Sequence, residues 1–229
     1  MKTYIIHYTK LKDRKSNILS FLSCSNYDYE FIEDYDKENI TEKDLRKFFS
    51  KDQEIFHQKI TPLWGYVPYR EINLAEISCT IKHVVSLGKI ASQEEEYGLI
   101  LEDDAIPIEN NFIEKIEEII RISPRDWDSI FLGAGCGIDF MNQKINEEKY
   151  EVVNNNFVKA KHPTTNCAEA YLVKKESAKK IYDSIIPFNI TSDWELAYQF
   201  YKFDMNVYWS IPPLFYQGSK SGQYNSTLR

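Results

Sequence analysis

At 229 residues the chain is long enough for one large domain with a real core, and no shift in composition marks a second, so 1–229 reads as a single domain. A net charge of −7 excludes the basic footprint that general nucleic-acid binding needs, and an anionic ligand would require a metal or local cations to hold it. No apolar run reaches the length of a membrane span, the apolar part of the N-terminus is too short for a signal peptide, and Cys24, Cys79, Cys136 and Cys167 form no Cys-x-x-Cys pair, which fits reduced thiols in the cytoplasm.

Tyr4 to Tyr8 reads as a first strand, followed by a polar turn and a helix over Ser16 to Ser23. The turn carries a small basic cluster, Lys10, Lys12, Arg14 and Lys15, compatible with weak peripheral association at the inner face of a membrane or with a solvated loop. Tyr27 to Ile32 alternates as a second strand. Glu33 to Thr61 is highly charged and weakly periodic, which predicts loops and short helices. Leu74 to Ile90 is helical, with Leu74, Ile77, Ile81, Val84 and Val85 on one face. An apolar strand, Leu99 to Leu101, comes next, then a helix with Phe112, Ile113, Ile116, Ile119 and Ile120 in one stripe, ended near Ser123-Pro124. Asp128 to Leu132 is a strand stopped by Gly133-Ala-Gly-Cys-Gly137. Phe140 to Asn156 is polar and reads as a surface excursion. A strand over Ala168 to Val173, helices over Glu176 to Ile186 and Asp193 to Phe203, and a last strand over Val207 to Ile211 complete the chain. Strands alternating with helices predict an α/β fold, a mainly parallel sheet flanked by helices.

The most informative stretch is Tyr97-Gly-Leu-Ile-Leu-Glu-Asp-Asp-Ala-Ile-Pro107. Its apolar run stops at three consecutive acids, Glu102, Asp103 and Asp104. On an extended chain Glu102 and Asp104 point one way and Asp103 the other. Carboxylates crowded at a strand end repel one another, and a divalent cation with hard oxygen ligands removes the conflict. Ligands of open α/β sheets bind outside the carboxyl ends of strands, where these acids sit. The plain alternative is a solvated acidic turn ahead of a helix.

Three blocks in this order, Leu74-Ala-Glu-Ile-Ser-Cys-Thr-Ile-Lys-His83, Leu99-Ile-Leu-Glu-Asp-Asp-Ala-Ile-Pro107 and Trp127-Asp-Ser-Ile-Phe-Leu-Gly133, resemble glycosyltransferase family 25. Ala170-Tyr-Leu-Val173, Ser192-Asp-Trp-Glu195 and Pro212-Pro-Leu-Phe-Tyr-Gln-Gly-Ser219 look like later blocks of the same family, so the resemblance runs from Tyr4 to the C-terminus. Lys82 departs from it, standing where the family commonly has Ser before the His. The resemblance implies a GT-A-type, Rossmann-like fold and a Mn²⁺ or Mg²⁺ ion. It also implies inverting transfer of a hexose, most simply galactose, from a UDP-sugar to a saccharide or hydroxylysine-type acceptor.

Under that resemblance, Glu102 and Asp104 are the metal ligands and Asp103 meets the sugar or a backbone donor. Glu76, Cys79 and His83 form a helical stripe that faces water or lines the donor cleft. Arg14 pairs with phosphate or is an exposed arginine among surface acids. Asp193 or Glu195 is the general base that takes the acceptor proton, with Asp193 favoured, unless Ser192 or Asp193 merely caps the helix. Gln217, Gly218, Ser219 and Lys220 lie in a flexible tail whose backbone N–H groups and ammonium could meet phosphate, or which is a disordered terminus. Two rivals remain. A sugar-1-phosphate nucleotidyltransferase would want a Gly-rich phosphate loop, and Thr9 to Lys15 has no Gly. A non-catalytic carbohydrate-binding protein on the same fold would not need the intact acids with Asp193.

Overall fold

The computed structural model describes residues 1–23, 28–134, 138–139, 144–145, 150–160 and 168–228. The chain begins β1 (Lys2–Ile6), α1 (Lys12–Leu22), β2 (Asp28–Ile32), α2 (Glu42–Phe48), α3 (Gln53–Trp64) and α4 (Leu74–Ser92). It continues β3 (Tyr97–Glu102), β4 (Ala105–Pro107), α5 (Phe112–Ile122), β5 (Ser129–Phe131), β6 (Ile138–Asp139), β7 (Lys144–Ile145), β8 (Tyr150–Asn154) and β9 (Phe157–Ala160). It ends β10 (Ala170–Lys174), α6 (Lys175–Ile185), α7 (Ser192–Lys202), β11 (Val207–Ser210), β12 (Phe215–Gln217) and α8 (Gly218–Ser221).

The main sheet has the order β2-β1-β3-β10-β5-β11-β9-β8. Strands β2, β1, β3, β5, β11 and β8 share one direction, and β10 and β9 run against them. The fold is thus α/β with a mostly parallel sheet, interrupted at its centre by β10.

Alternation along the strands builds a core on each face. Ile100, Tyr171, Phe131 and Trp209 point to one side and pack with Ile81 and Leu87 of α4, Ile181 of α6 and Phe200 of α7. Leu99, Leu101, Leu172 and Ile130 point to the other and pack with Ile18 of α1 and Phe112 and Ile116 of α5. A satellite cluster joins Phe56 and Ile60 of α3 to Ile190, just ahead of α7. Helix α4 starts at a capping box, in which Asn73 Oδ1 accepts from the N–H groups of Ala75 and Glu76, and Glu76 accepts from the Asn73 N–H.

Several expectations change. Leu74 is not core; as the first residue of α4 it is 48% exposed. The polar excursion ends in an edge hairpin of β8 and β9. Phe157 and Val158 are fully buried there, because β9 is clasped between β8 and β11. The C-terminal tail is paired and hydrogen-bonded to the fold rather than loose. Strand β12 pairs antiparallel with β4, and the Gly218 N–H donates to the Asp104 carbonyl at 2.8 Å. Residues 135–137, 140–143, Tyr27, Cys24, Cys136 and Cys167 lie outside the described residues; Cys79 is a free thiol.

Ile81 is fully buried between α4 and the sheet. Ile81→Ala should cost about 2–5 kcal/mol in denaturant unfolding, with the slope unchanged.

Candidate active site

Strands β1 and β3 are parallel neighbours, with Ile6 opposite Glu102. The residues that follow, His7 and Asp103, therefore leave the sheet side by side at its carboxyl end. A cleft of about 550 Å³ opens there, a size suited to a small-molecule ligand. The β1–α1 turn, the first turns of α4 and α7, the β3–β4 turn and the C-terminal tail enclose it.

The strand ends at Glu102, and Asp103 and Asp104 form a turn. The alternation expected past Glu102 is therefore lost, and all three acids line the cleft. They are held differently. Asp103 is buried, with Oδ1 2.7 Å from Arg14 Nη1, and Oδ2 2.9 Å from His7 Nδ1 and 3.1 Å from the Tyr8 N–H. Burial disfavours its charge, but the bonds from His7 and Arg14 prevail and hold its carboxyl below the ordinary range. Asp103 is thus neutralised by the protein itself. Arg14 is buried rather than an exposed surface arginine. Its second amino group donates to the Asn225 carbonyl at 2.6 Å, and its guanidinium lies 5.1 Å from the Tyr224 ring centre. The basic cluster of the turn is dispersed: Lys10 pairs with Glu38 and Lys15 with Glu33.

Glu102 and Asp104 lack such compensation. Burial pushes the Glu102 carboxyl well above its ordinary value, and the charges of Asp104, Asp193 and Asp103 push further, against Lys220. Burial likewise raises Asp104, although the Ser219 N–H donates to its Oδ2 at 3.3 Å. Asp104 Oδ1 is buried and accepts no hydrogen bond. Two crowded carboxylates with an orphaned oxygen are a donor set that fits a hard divalent cation.

Of the α4 stripe, Glu76 and Cys79 line the cleft. The Glu76 carboxylate is clamped by Arg70 through two bonds of 2.9 and 2.8 Å and by the capping box. His83 sits behind the cleft wall, 1% exposed, with Nε2 3.2 Å from Glu102 Oε1 and Nδ1 3.0 Å from Tyr171 Oη. Burial pulls its imidazole down to about 4, so it is neutral at physiological pH and backs Glu102 from within the core. The stripe is not exposed because α4 is covered on nearly every side. Lys82 is also buried and donates from Nζ to Asp36 and to the His7 carbonyl, pinning the end of β1.

At α7, Thr191 is the N-cap residue and makes no side-chain cap. Asp193 lies within the first turn and lines the cleft, its Oδ1 accepting from Thr191 Oγ1 at 2.7 Å and from the Trp194 N–H at 3.0 Å. Burial raises its carboxyl above the ordinary value. Glu195 is turned away from the cleft. It is fully buried, paired with Lys59 of α3 at 2.5 Å, and accepts from the Asn189 N–H. Gln217, Ser219 and Lys220 line the cleft, and Gln217 Nε2 donates to Glu102 Oε2 at 3.3 Å. Gly218 does not reach it. A Cβ there would lie 2.5 Å from the Tyr224 ring, so close packing requires this glycine, not an approach to phosphate.

The model of glycosyltransferase family 25 (LPS biosynthesis protein) matches residues 1–196. The chain belongs to this family. The match ends within α7, so the resemblance seen over Pro212 to Ser219 falls beyond it. No curated protein matches. Among solved structures, an inositol-1-phosphate CTP transferase from T. maritima is 12% identical, with TM-score 0.47, over 99% of this chain and 92% of that one. S. aureus TarS 1–349 is 12% identical, with TM-score 0.47, over 94% and 59%. A mutant Drosophila β-1,4-galactosyltransferase 7, complexed with manganese, UDP-Gal and xylobiose, is 9% identical, with TM-score 0.45, over 99% and 74%.

His7, Lys59, Lys82 and Tyr171 are among the supporting residues of this family 25 member to which sequence reasoning gave no role. His7 depends on register: Ile6 pairs with Glu102, so the residue after β1 faces the acid after β3.

Two substitutions separate the acids. Asp103→Asn leaves Arg14 and His7 facing an uncharged partner and should cost about 3 kcal/mol near neutrality. Because the folded carboxyl lies below its ordinary 3.8, its contribution is complete above that pH and is lost as pH falls through the folded value. The gap between wild type and variant should therefore narrow on acidification. Asp104→Asn should act in the opposite direction. It removes a charge that burial disfavours while leaving an oxygen for the Ser219 N–H, so the metal-free protein should melt at a higher temperature.

Proposed function

We propose that this chain is a metal-dependent, inverting hexosyltransferase of GT-A type that uses a UDP-sugar, with galactose as the hexose, and a saccharide or hydroxylysine-type hydroxyl as acceptor. One observation carries the reading: a single cleft brings the uncompensated Glu102 and Asp104 together with Asp193. Family membership supports transfer of a sugar, and the family resemblance supports the donor and the stereochemistry.

Glu102 and Asp104 would hold Mn²⁺ or Mg²⁺, which when bound offsets the charge that develops on the departing diphosphate. Lys220 adds a positive charge on the same side of the cleft, and the Ser219 N–H, now on Asp104, is positioned beside it. His83 and Gln217 fix the two oxygens of Glu102, so its carboxylate stays oriented. Asp193 accepts the proton of the acceptor hydroxyl as that oxygen attacks the anomeric carbon. Burial raises the basicity of Asp193, which favours this role, and the bonds from Thr191 and Trp194 fix its direction. Glu195, neutralised by Lys59, serves instead to tie α7 to α3.

UDP release from UDP-galactose with Mn²⁺, in wild type and Asp193→Asn, tests this. The variant should lose about a hundred- to ten-thousandfold in turnover with saturating acceptor, while UDP affinity stays unchanged. A loss under about tenfold would remove Asp193 from the role of base. No Mn²⁺-dependent release from the wild type would overturn the reading as a whole.

A further inference from the structure

Helix α4 carries Cys79 and His83 four residues apart, hence on one face. That face meets the end of β3. Cys79 Sγ, one imidazole nitrogen of His83 and one carboxylate oxygen of Glu102 all lie within 4.8 Å of one another, and His83 Nε2 is 3.2 Å from Glu102 Oε1. Among the described residues no other three His, Cys, Asp or Glu donors converge so closely.

A thiolate, an imidazole and one carboxylate form a ligand set for Zn²⁺ and related cations, whereas Mg²⁺ and Mn²⁺ favour all-oxygen sites. The outer shell is present too. His83 Nδ1 lies 3.0 Å from the buried Tyr171 Oη, the kind of second bond that orients a ligating histidine. Cys79 and Glu102 both line the cleft, which gives an entry path.

We propose that Cys79, His83 and Glu102 form a binding site for Zn²⁺, distinct from the hard-cation pair Glu102 and Asp104, and that Zn²⁺ bound there inhibits the enzyme. On binding, bonds form from the ion to sulfur, nitrogen and oxygen; the Cys79 S–H bond breaks and its proton passes to solvent, and the proton held between His83 Nε2 and Glu102 Oε1 is displaced, leaving His83 protonated on Nδ1, toward Tyr171 Oη. Glu102 belongs to both sites. Zn²⁺ bound there engages the Glu102 carboxylate that the hard cation also needs, so the two sites compete. Inhibition rests on the transferase reading above; binding does not.

Co²⁺ titrated into the metal-free full chain reports the site directly, because a cobalt–sulfur bond gives a near-ultraviolet charge-transfer band. The band should saturate at one equivalent and be displaced by Zn²⁺. It should vanish in Cys79→Ser and persist in Asp104→Asn, which damages only the hard-cation pair. No band in the folded wild type, or an undiminished band in Cys79→Ser, would overturn the site. In the second arm, Zn²⁺ should inhibit Mn²⁺-supported UDP release from the wild type, and Cys79→Ser should require at least about tenfold more. Equal sensitivity would overturn the inhibition. Absence of Mn²⁺-dependent release would overturn the transferase reading and the inhibition with it, while the cobalt band would still decide the site.

Discussion

Like charge crowded at the carboxyl end of β3 is the constraint on which the functional half of this structure turns. Three consecutive carboxylates leave the sheet into a cleft that burial makes hostile to charge. One of them, Asp103, is neutralised from within by Arg14, His7 and the Tyr8 N–H. The other two are oriented but not neutralised, and Asp104 retains a buried oxygen without a hydrogen bond. A fold that pairs one acid so fully and leaves its neighbours raised in pKa carries an electrostatic cost of the kind a hard cation would offset.

The rest of the fold serves that arrangement. Parallel pairing of β1 with β3 brings His7 and the Arg14 turn to Asp103. The antiparallel β10, between β3 and β5, places Tyr171 beneath His83, and His83 in turn braces Glu102. Helix α4 runs over this layer with polar groups facing the cleft and apolar groups facing the sheet. The Lys59–Glu195 pair anchors α7 to α3, so the neighbouring Asp193 is presented to the cleft from a fixed helix end. The tail closes the far side through β12, α8 and the Arg14–Asn225 contact.

Much of this was legible in the sequence. The apolar run into Glu102-Asp103-Asp104 marks a strand end with a charge problem, and the 3.6-residue period of Ile77, Ile81 and Val84 marks a core helix. What was hidden is what depends on long-range register. Two carboxylates, Asp193 and Glu195, stand two apart at a helix start, and sequence could not say which faces the cleft. Lys59, 136 residues away in a weakly periodic segment, decides it by claiming Glu195. The tail read as flexible because its pairing partner is only the three-residue β4. Strand β9 was missed because its two buried side chains sit beside a polar stretch. The stripe of Glu76, Cys79 and His83 was ambiguous because a face opposite the apolar one is exposed on a surface helix but not on a helix covered from all sides.

The central claim is that Glu102 and Asp104 are an incomplete pair awaiting a hard cation that carries a diphosphate. Calorimetric titration of UDP into wild type and Asp104→Asn, each with and without Mn²⁺, tests it most directly. The account predicts binding by the wild type only with Mn²⁺, and loss of that Mn²⁺ dependence in the folded variant. Equal UDP affinity with and without the ion in the wild type, or Mn²⁺-dependent binding that survives Asp104→Asn undiminished, would contradict it.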